Sequence, residues 1–189
     1  MSIAKLISSL NDYKNIHIED AISTGAVIDW IEKHGDFAFV KENLEGHITG
    51  SMFIVNREMT KVLLMLHKKF GRWQQFGGHC DGETDVRSVA IREFHEESGV
   101  KEDIEVMSEI FHVAVHEVPL DAKGRPPHKH FDLLYLGIIS EDVALSHQES
   151  EVDGIAWFDL ESALTVNDED LMRRIIQKIH KLKTALGNE

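Results

Sequence analysis

Gly77-Gly78-His79-Cys80-Asp81-Gly82-Glu83-Thr84, then Asp85 to Ile91, then Arg92-Glu93-Phe94-His95-Glu96-Glu97-Ser98-Gly99-Val100, is the stretch on which the fold turns. Thr84 to Ser98 reads as a helix, and Gly99 stands where a helix C-terminus favours glycine. At 3.6 residues per turn, Glu93 and Glu97 lie one turn apart on one face, with Glu96 as the adjacent neighbour. Carboxylates so close repel one another by roughly a few tenths of a kcal/mol per pair even in water. Arg92 offsets one pair through Glu96, four residues on. The remainder asks for a cation. Hard oxygen ligands projected from one helix face suit Mg²⁺, which keeps several waters and takes a few carboxylates together with phosphate oxygens. A glutamate-rich turn standing alone is usually a solvated face. Here a glycine pair precedes it by one short loop, where a carbonyl can join a metal sphere and the backbone can approach phosphate closely.

Working outward, the flanking segments read as strands. Ile48 to Asn56 and Lys61 to His67 flank Arg57-Glu58-Met59-Thr60, a hairpin connection. Trp73 to Phe76 is a short extended piece leading into the glycine pair. Ile110 to Val118 and Phe131 to Ser140 are strands, joined by a loop, Pro119 to Pro127, that holds all three prolines. Ile155 to Phe158 is a last short strand. Asp168 to Leu186 is a long amphipathic helix with Leu171, Ile175, Ile176, Ile179 and Leu182 on one face. Before all of these, Leu6, Ile7, Leu10 and Tyr13, and then Ile22, Ala26, Trp30 and Ile31, recur at helical spacing. The expected organisation is a helical N-terminal extension over residues 1–45, packed on a main domain over 46–189. Strands, one embedded helix, more strands and a terminal helix give the α/β class, with a mixed sheet between helices.

Composition narrows the function. The chain has 189 residues, with 20 Lys plus Arg against 33 Asp plus Glu, a net charge of −13. Such a surface has no electrostatic footprint for a nucleic-acid backbone and is repelled by anionic lipid, so neither nucleic acid nor membrane is an expected partner. An anionic substrate would need positive charge from elsewhere, and recruited metal ions supply it. The single cysteine, Cys80, excludes an internal disulfide and suits a reducing compartment. Met1 to Ile7 is too soon interrupted by polar residues for a signal peptide, and no apolar run approaches the ~20 residues of a membrane span. The expectation is a soluble cytoplasmic protein.

The run Arg92-Glu93-Phe94-x-Glu96-Glu97-x-Gly99-Val100 resembles the second half of the Nudix box, the signature of the Nudix hydrolases. Five strictly specified residues, each at about one in fifteen by usage, arise by chance about once per million registers. Gly78 lies where the box's opening glycine belongs. The wider chain is similar to a group of bacterial Nudix proteins carrying a His-Ile-Thr-Gly-Ser strand (His47 to Ser51), a Trp-x-x-x-Gly-Gly-His segment (Trp73 to His79) and a His-x-His-x-x-Asp-like strand, approximated here by His128-Lys129-His130-Phe131-Asp132. The resemblance covers about residues 36–160. Two positions depart from it. The family pattern places Glu six residues after the box glycine, where this chain has Thr84; either Glu83 or Asp85 substitutes, or the position is not needed. Phe94 replaces an aliphatic residue.

The resemblance implies a Nudix-type α/β/α sandwich that hydrolyses a pyrophosphate linkage in a nucleoside diphosphate derivative or related diphosphate, with Mg²⁺ or sometimes Mn²⁺. By position, Glu93, Glu96 and Glu97 match the metal-binding glutamates, Gly77 offers its carbonyl, and Arg92 matches the arginine that orients a box glutamate. The general base is Glu93 or a glutamate on a later loop, for which Glu149 and Glu151 are the candidates; ordinary solvated loop acids are the competing reading. Gly78, His79, His128 and His130 are expected on the substrate side, His79 first among them. Along a strand His128, His130 and Asp132 share a face, as do His112 and His116. Such faces either line a phosphate cleft or bind a transition metal. Trp73, Phe76, Phe111 and Tyr135 either stack a nucleobase or fill core. A non-catalytic Nudix-like nucleotide-binding or regulatory domain is the alternative function, and a diphosphate isomerase is a third. Many relatives of this type are dimers, so the resemblance allows a homodimer, although the residues themselves do not set the oligomeric state.

Overall fold

The computed structural model describes residues 1–120, 124–146 and 150–187. Its elements in chain order are α1 (Ile3–Ile16), α2 (Ala21–His34), β1 (Gly46–Asn56), β2 (Lys61–His67), β3 (Arg72–Gln74), β4 (Phe76–His79), α3 (Val86–Ser98), β5 (Glu105–Val106), β6 (His112–Val118), β7 (His128–Ile139), β8 (Val152–Asp159), α4 (Leu160–Val166) and α5 (Asp170–Ala185). Short 3₁₀ turns follow α1 and α2. This is the mixed α/β fold that the pattern of elements predicts. Residues cluster into two compact units of interleaved segments. The first is Met1–Ser51, Gly77–Arg92 and Met107–Tyr135, and the second Met52–Phe76, Glu93–Val106 and Leu136–Glu189.

In the first unit the strand neighbours are β6–β7–β1–β4. β6 and β7 are antiparallel, with His116 opposite His130 and Ala114 opposite Asp132. Helix α2 packs against β6. Its Val27 and Ile31 are buried with Leu6 and Leu10 of α1. Trp30 stacks on Phe131 of β7, ring centroids 4.6 Å apart. The apolar periodicity read from the first forty residues therefore seals one side of β6 and β7.

In the second unit β2 is central, antiparallel to β1, β3 and β8. The β1–β2 hairpin turns at Arg57 to Thr60, where Met59 takes a positive φ of 51° and its N–H donates to the Asn56 carbonyl. Phe53, Ile54, Leu63, Ile175 and Ile179 fill this core. Phe94 meets Phe76 edge to face at 5.0 Å, both fully buried. An aromatic in place of the aliphatic residue after Arg92-Glu93 thus serves packing.

Several boundaries differ from the sequence reading. The extended piece expected over Trp73 to Phe76 is divided between β3 and β4, with the glycine pair inside β4, and β7 starts at His128, three residues before the strand expected from Phe131. Polar histidines at the strand start hid it, because the apolar run begins only at Phe131. The brief β5 and α4 gave no periodic signal long enough to read.

Candidate functional site

Two chemically distinct groups of side chains stand out, one in each unit. The first is built on the ladder of β1, β7 and β4. Alternation along a strand puts His47, Thr49 and Ser51 on one face of β1, and His128, His130 and Asp132 on one face of β7. Asp132, 2% exposed, accepts hydrogen bonds from Thr49 Oγ1 and Ser51 Oγ, each at 2.8 Å. These bonds hold the two faces in register. On β4, Gly77 has φ +147°, and a Cβ there would lie 2.6 Å from the Gly50 carbonyl oxygen and 2.7 Å from Ser51 Cα. Only glycine permits that approach, and the approach carries His79 to the same place.

The result is a cluster of imidazoles. His47 lies 4.7 Å from His130, 4.9 Å from His79 and 5.2 Å from His128, ring centroid to ring centroid. His116 stands 5.4 Å from His130. One nitrogen from each of His47, His79 and His130 lies within 4.8 Å of the others. Burial, then the like charge of His79 and His128, holds the pKa of His47 down to about 4; the Asn43 backbone works the other way without forming a regular hydrogen bond. Burial and the surrounding His47, His116, His79 and His128 hold His130 down to about 2. Burial also lowers His79, with Asp81 opposing. At neutral pH the rings of His47, His79 and His130 are uncharged. Among the described residues, neither ring nitrogen of His47 nor Nε2 of His130 has a regular hydrogen-bond partner, and all three are buried. His128 Nδ1, by contrast, is 2.9 Å from the Pro126 carbonyl.

The second group is the carboxylate turn of α3. Asp85 caps the helix: its Oδ1 accepts from Ser88 N–H at 3.3 Å. Gly99, at φ +68°, closes it by donating to the His95 carbonyl at 2.9 Å. A Cβ on Gly99 would come within 2.0 Å of the Ser146 carbonyl oxygen, so the close seat of that loop also demands glycine. Glu96 is exposed, Glu93 half-buried and Glu97 only 4% exposed. All three acids sit in the last two turns, whereas the first turn has none. The helix dipole disfavours carboxylates at that end by about 0.3–1 kcal/mol each. An all-oxygen donor set placed against its own helix dipole fits a hard divalent cation such as Mg²⁺.

The remaining expected residues fall as follows. Arg92 is exposed on α3, and Gly78 is half-buried on β4. Glu151 is exposed, and its carbonyl accepts the Lys68 N–H at 2.9 Å. Glu149 lies outside the described residues. Thr84 donates through Oγ1 to the Met1 carbonyl at 2.6 Å, Asp85 is committed to capping, and Glu83 is exposed. His112 takes a different role from its strand-mate His116: its Nδ1 is 3.1 Å from Asp20 Oδ2, under the N-terminal helices. Phe76 and Tyr135 are core, whereas Trp73 and Phe111 are half-buried. Cys80 is buried, and burial pushes its thiol pKa up, which leaves it inert. His47 is the residue that sequence reasoning named only as the start of a motif. Its matching alternation, His-x-Thr-x-Ser against His-x-His-x-Asp, was the available signal.

A sequence model of the NUDIX domain matches residues 47–179. A search of curated proteins finds no match. Among solved structures, a NUDIX-family hydrolase from Clostridium perfringens is similar at a TM-score of 0.56 and 22% identity, covering 72% of this chain and 97% of that one. An Ap4A hydrolase from C. elegans, solved as a binary complex, aligns at a TM-score of 0.53 and 23% identity, over 73% and 98% of the two chains. The dihydroneopterin triphosphate pyrophosphohydrolase of E. coli aligns at 0.56 and 15%, over 69% and 92%. At these identities the structural likenesses speak to fold. The match over residues 47–179 takes in the carboxylate turn of α3 and the strands β1, β4 and β7, and the chain belongs to the NUDIX family.

Proposed function

We propose that this protein, a Nudix pyrophosphohydrolase by family, cleaves a nucleoside diphosphate derivative or related diphosphate in a reaction that depends on Mg²⁺, with Mn²⁺ as a substitute. The observation that carries the reading is the turn of α3 that holds Glu93, Glu96 and Glu97 against the helix dipole. These three would hold the metal. Bound there, a divalent ion supplies charge neutralisation of the diphosphate and lowers the pKa of water. Arg92 orients a box glutamate. The base that takes the proton from the attacking water is Glu93 or a later-loop acid, Glu149 or Glu151. Gly78, His79, His128 and His130 face the substrate. The buried, uncharged state of His79 and His130 means that they bring no cationic patch to the substrate side. The acidic composition and the single buried Cys80 support a cytoplasmic setting. A homodimer is the proposed assembly, checked by sedimentation.

The test is a product-resolved screen of diphosphate derivatives (dinucleoside polyphosphates, nucleotide sugars, ADP-ribose and oxidised nucleotides) with Mg²⁺, with Mn²⁺ and with chelator. Glu97→Gln is run beside the wild type. Turnover in the variant is expected to fall at least ~100-fold, the size of a lost metal or electrostatic contribution of several kcal/mol. Near-normal turnover in the variant would remove the metal assignment. Silence across the panel with a nucleotide still bound would favour the alternative, a NUDIX domain that binds without cleaving.

A further inference from the structure

We propose that His47, His79 and His130 form a second metal site, one for a divalent first-row transition ion of the Zn²⁺ class, with its fourth position open. The site stands on residues of the first unit alone and is independent of the Mg²⁺ reading. Three observations carry it. One nitrogen from each ring converges within 4.8 Å of the other two. Tetrahedral coordination at about 2.0–2.1 Å puts ligand nitrogens about 3.4 Å apart, so the rings need close by no more than about an ångström and a half. Among the described residues, both nitrogens of His47, a residue with no exposed surface, and Nε2 of His130 have no regular hydrogen-bond partner. Buried polar atoms are nearly always satisfied, and an unsatisfied one in a native protein points to an unseen partner. Finally, the backbone is shaped for the convergence. Gly77 lets β4 lie so close to β1 that a Cβ there would sit only 2.6 Å from the Gly50 carbonyl oxygen, and Asp132 ties the β7 face to Thr49 and Ser51.

The donor set names the metal class. Three imidazoles without a carboxylate suit Zn²⁺, Co²⁺, Ni²⁺, Cu²⁺ or Fe²⁺, and disfavour Mg²⁺ and Ca²⁺. Burial keeps the rings uncharged, the form that ligates. His128 is tied by Nδ1 to the Pro126 carbonyl and stays outside the triad. His79 and His130 are half-buried, which leaves one side of the site open to water or an anionic group.

The test measures Zn²⁺ and Co²⁺ binding to the full chain in excess Mg²⁺, which occupies hard carboxylate sites. Metal content after dialysis, calorimetry and the visible spectrum of the Co²⁺ form are read for the wild type, Glu97→Gln, His79→Ala and His130→Ala. The wild type and Glu97→Gln should each retain one Zn²⁺ per chain, and their Co²⁺ forms should show the strong visible absorption of a four-coordinate ion. His79→Ala and His130→Ala should weaken binding at least ~100-fold, the upper end of what even an outer-shell change costs. His79 is half-buried at a strand end, so its variant should fold, as circular dichroism will check; it decides the matter where His130→Ala does not fold. Absence of retained Zn²⁺ and Co²⁺ in the wild type overturns the site. So does one-to-one binding that survives His79→Ala undiminished, or that is lost in Glu97→Gln.

Discussion

Asp20 and His47 are both buried polar centres of the first unit, 3% and 0% exposed, and they are finished in opposite ways. The Asp20 carboxylate accepts a hydrogen bond from the Tyr13 hydroxyl and stands 3.1 Å from His112 Nδ1, while Thr24 Oγ1 donates to its main-chain carbonyl at 2.8 Å. Burial, then the hydrogen bond and charge of Asp20, pushes the Tyr13 hydroxyl far up, so that it remains a donor. This cluster is closed, and it fastens α1 and α2 to β6. The imidazole cluster around His47 is open, with three buried ring nitrogens unpartnered. A closed polar cluster is what a fold uses to fix a unique arrangement. An open one costs stability, and proteins retain such costs where a ligand recovers them.

The largest effect should come from breaking the closed cluster. Asp20→Ala leaves the Tyr13 hydroxyl and His112 buried without their acceptor, a loss of about 3–5 kcal/mol, as for other buried networks missing one partner. Urea unfolding reads it directly. A loss below ~1 kcal/mol would mean the cluster is looser than its geometry, and the contrast with His47 would collapse. The next effect should come from filling the open cluster. Zn²⁺ at one hundred times its Kd should stabilise the wild type by about 2.7 kcal/mol by mass action. His79→Ala should show almost none of that gain.

Much of this was legible in the residues, for physical reasons. The turn Glu93-x-x-Glu96-Glu97 can be read because helical period and charge repulsion are local. The hairpin at Arg57 to Thr60 and the core face of α5 are local as well. The histidine cluster was only half legible: alternation showed His128 and His130 on one face, yet nothing within any one strand said that β1 and β4 would deliver His47 and His79 beside them. That pairing is set by long-range contacts and by the fit of Gly77 against Gly50 and Ser51. The partnering of His112 with Asp20, ninety-two residues apart in the chain, was invisible for the same reason.

Thr84 gauges a polar contact lying between the two extremes. Its hydroxyl donates to the Met1 carbonyl at 2.6 Å in a half-buried place. Thr84→Ala should lose about 1 kcal/mol, the ordinary worth of one such bond. Turnover should stay within about twofold, because Thr84 occupies a box position without offering a carboxylate. A larger fall in turnover would give Thr84 a part in the chemistry.

The smallest effect is the most discriminating. His47→Leu replaces a fully buried imidazole with an apolar side chain of similar volume. Volume-conserving core swaps usually cost under about 1.5 kcal/mol. Here the swap also removes two buried nitrogens that have no regular partner among the described residues, and the relief of their desolvation offsets the packing cost. The opposing contributions should nearly cancel, so unfolding measured with chelator should move by less than about 1 kcal/mol in either direction. The same variant should lose the Zn²⁺-dependent gain. A loss as large as that of Asp20→Ala in metal-free protein would show that His47 is held by native partners. The two clusters would then be alike, and the histidines would belong to the fold rather than to a ligand.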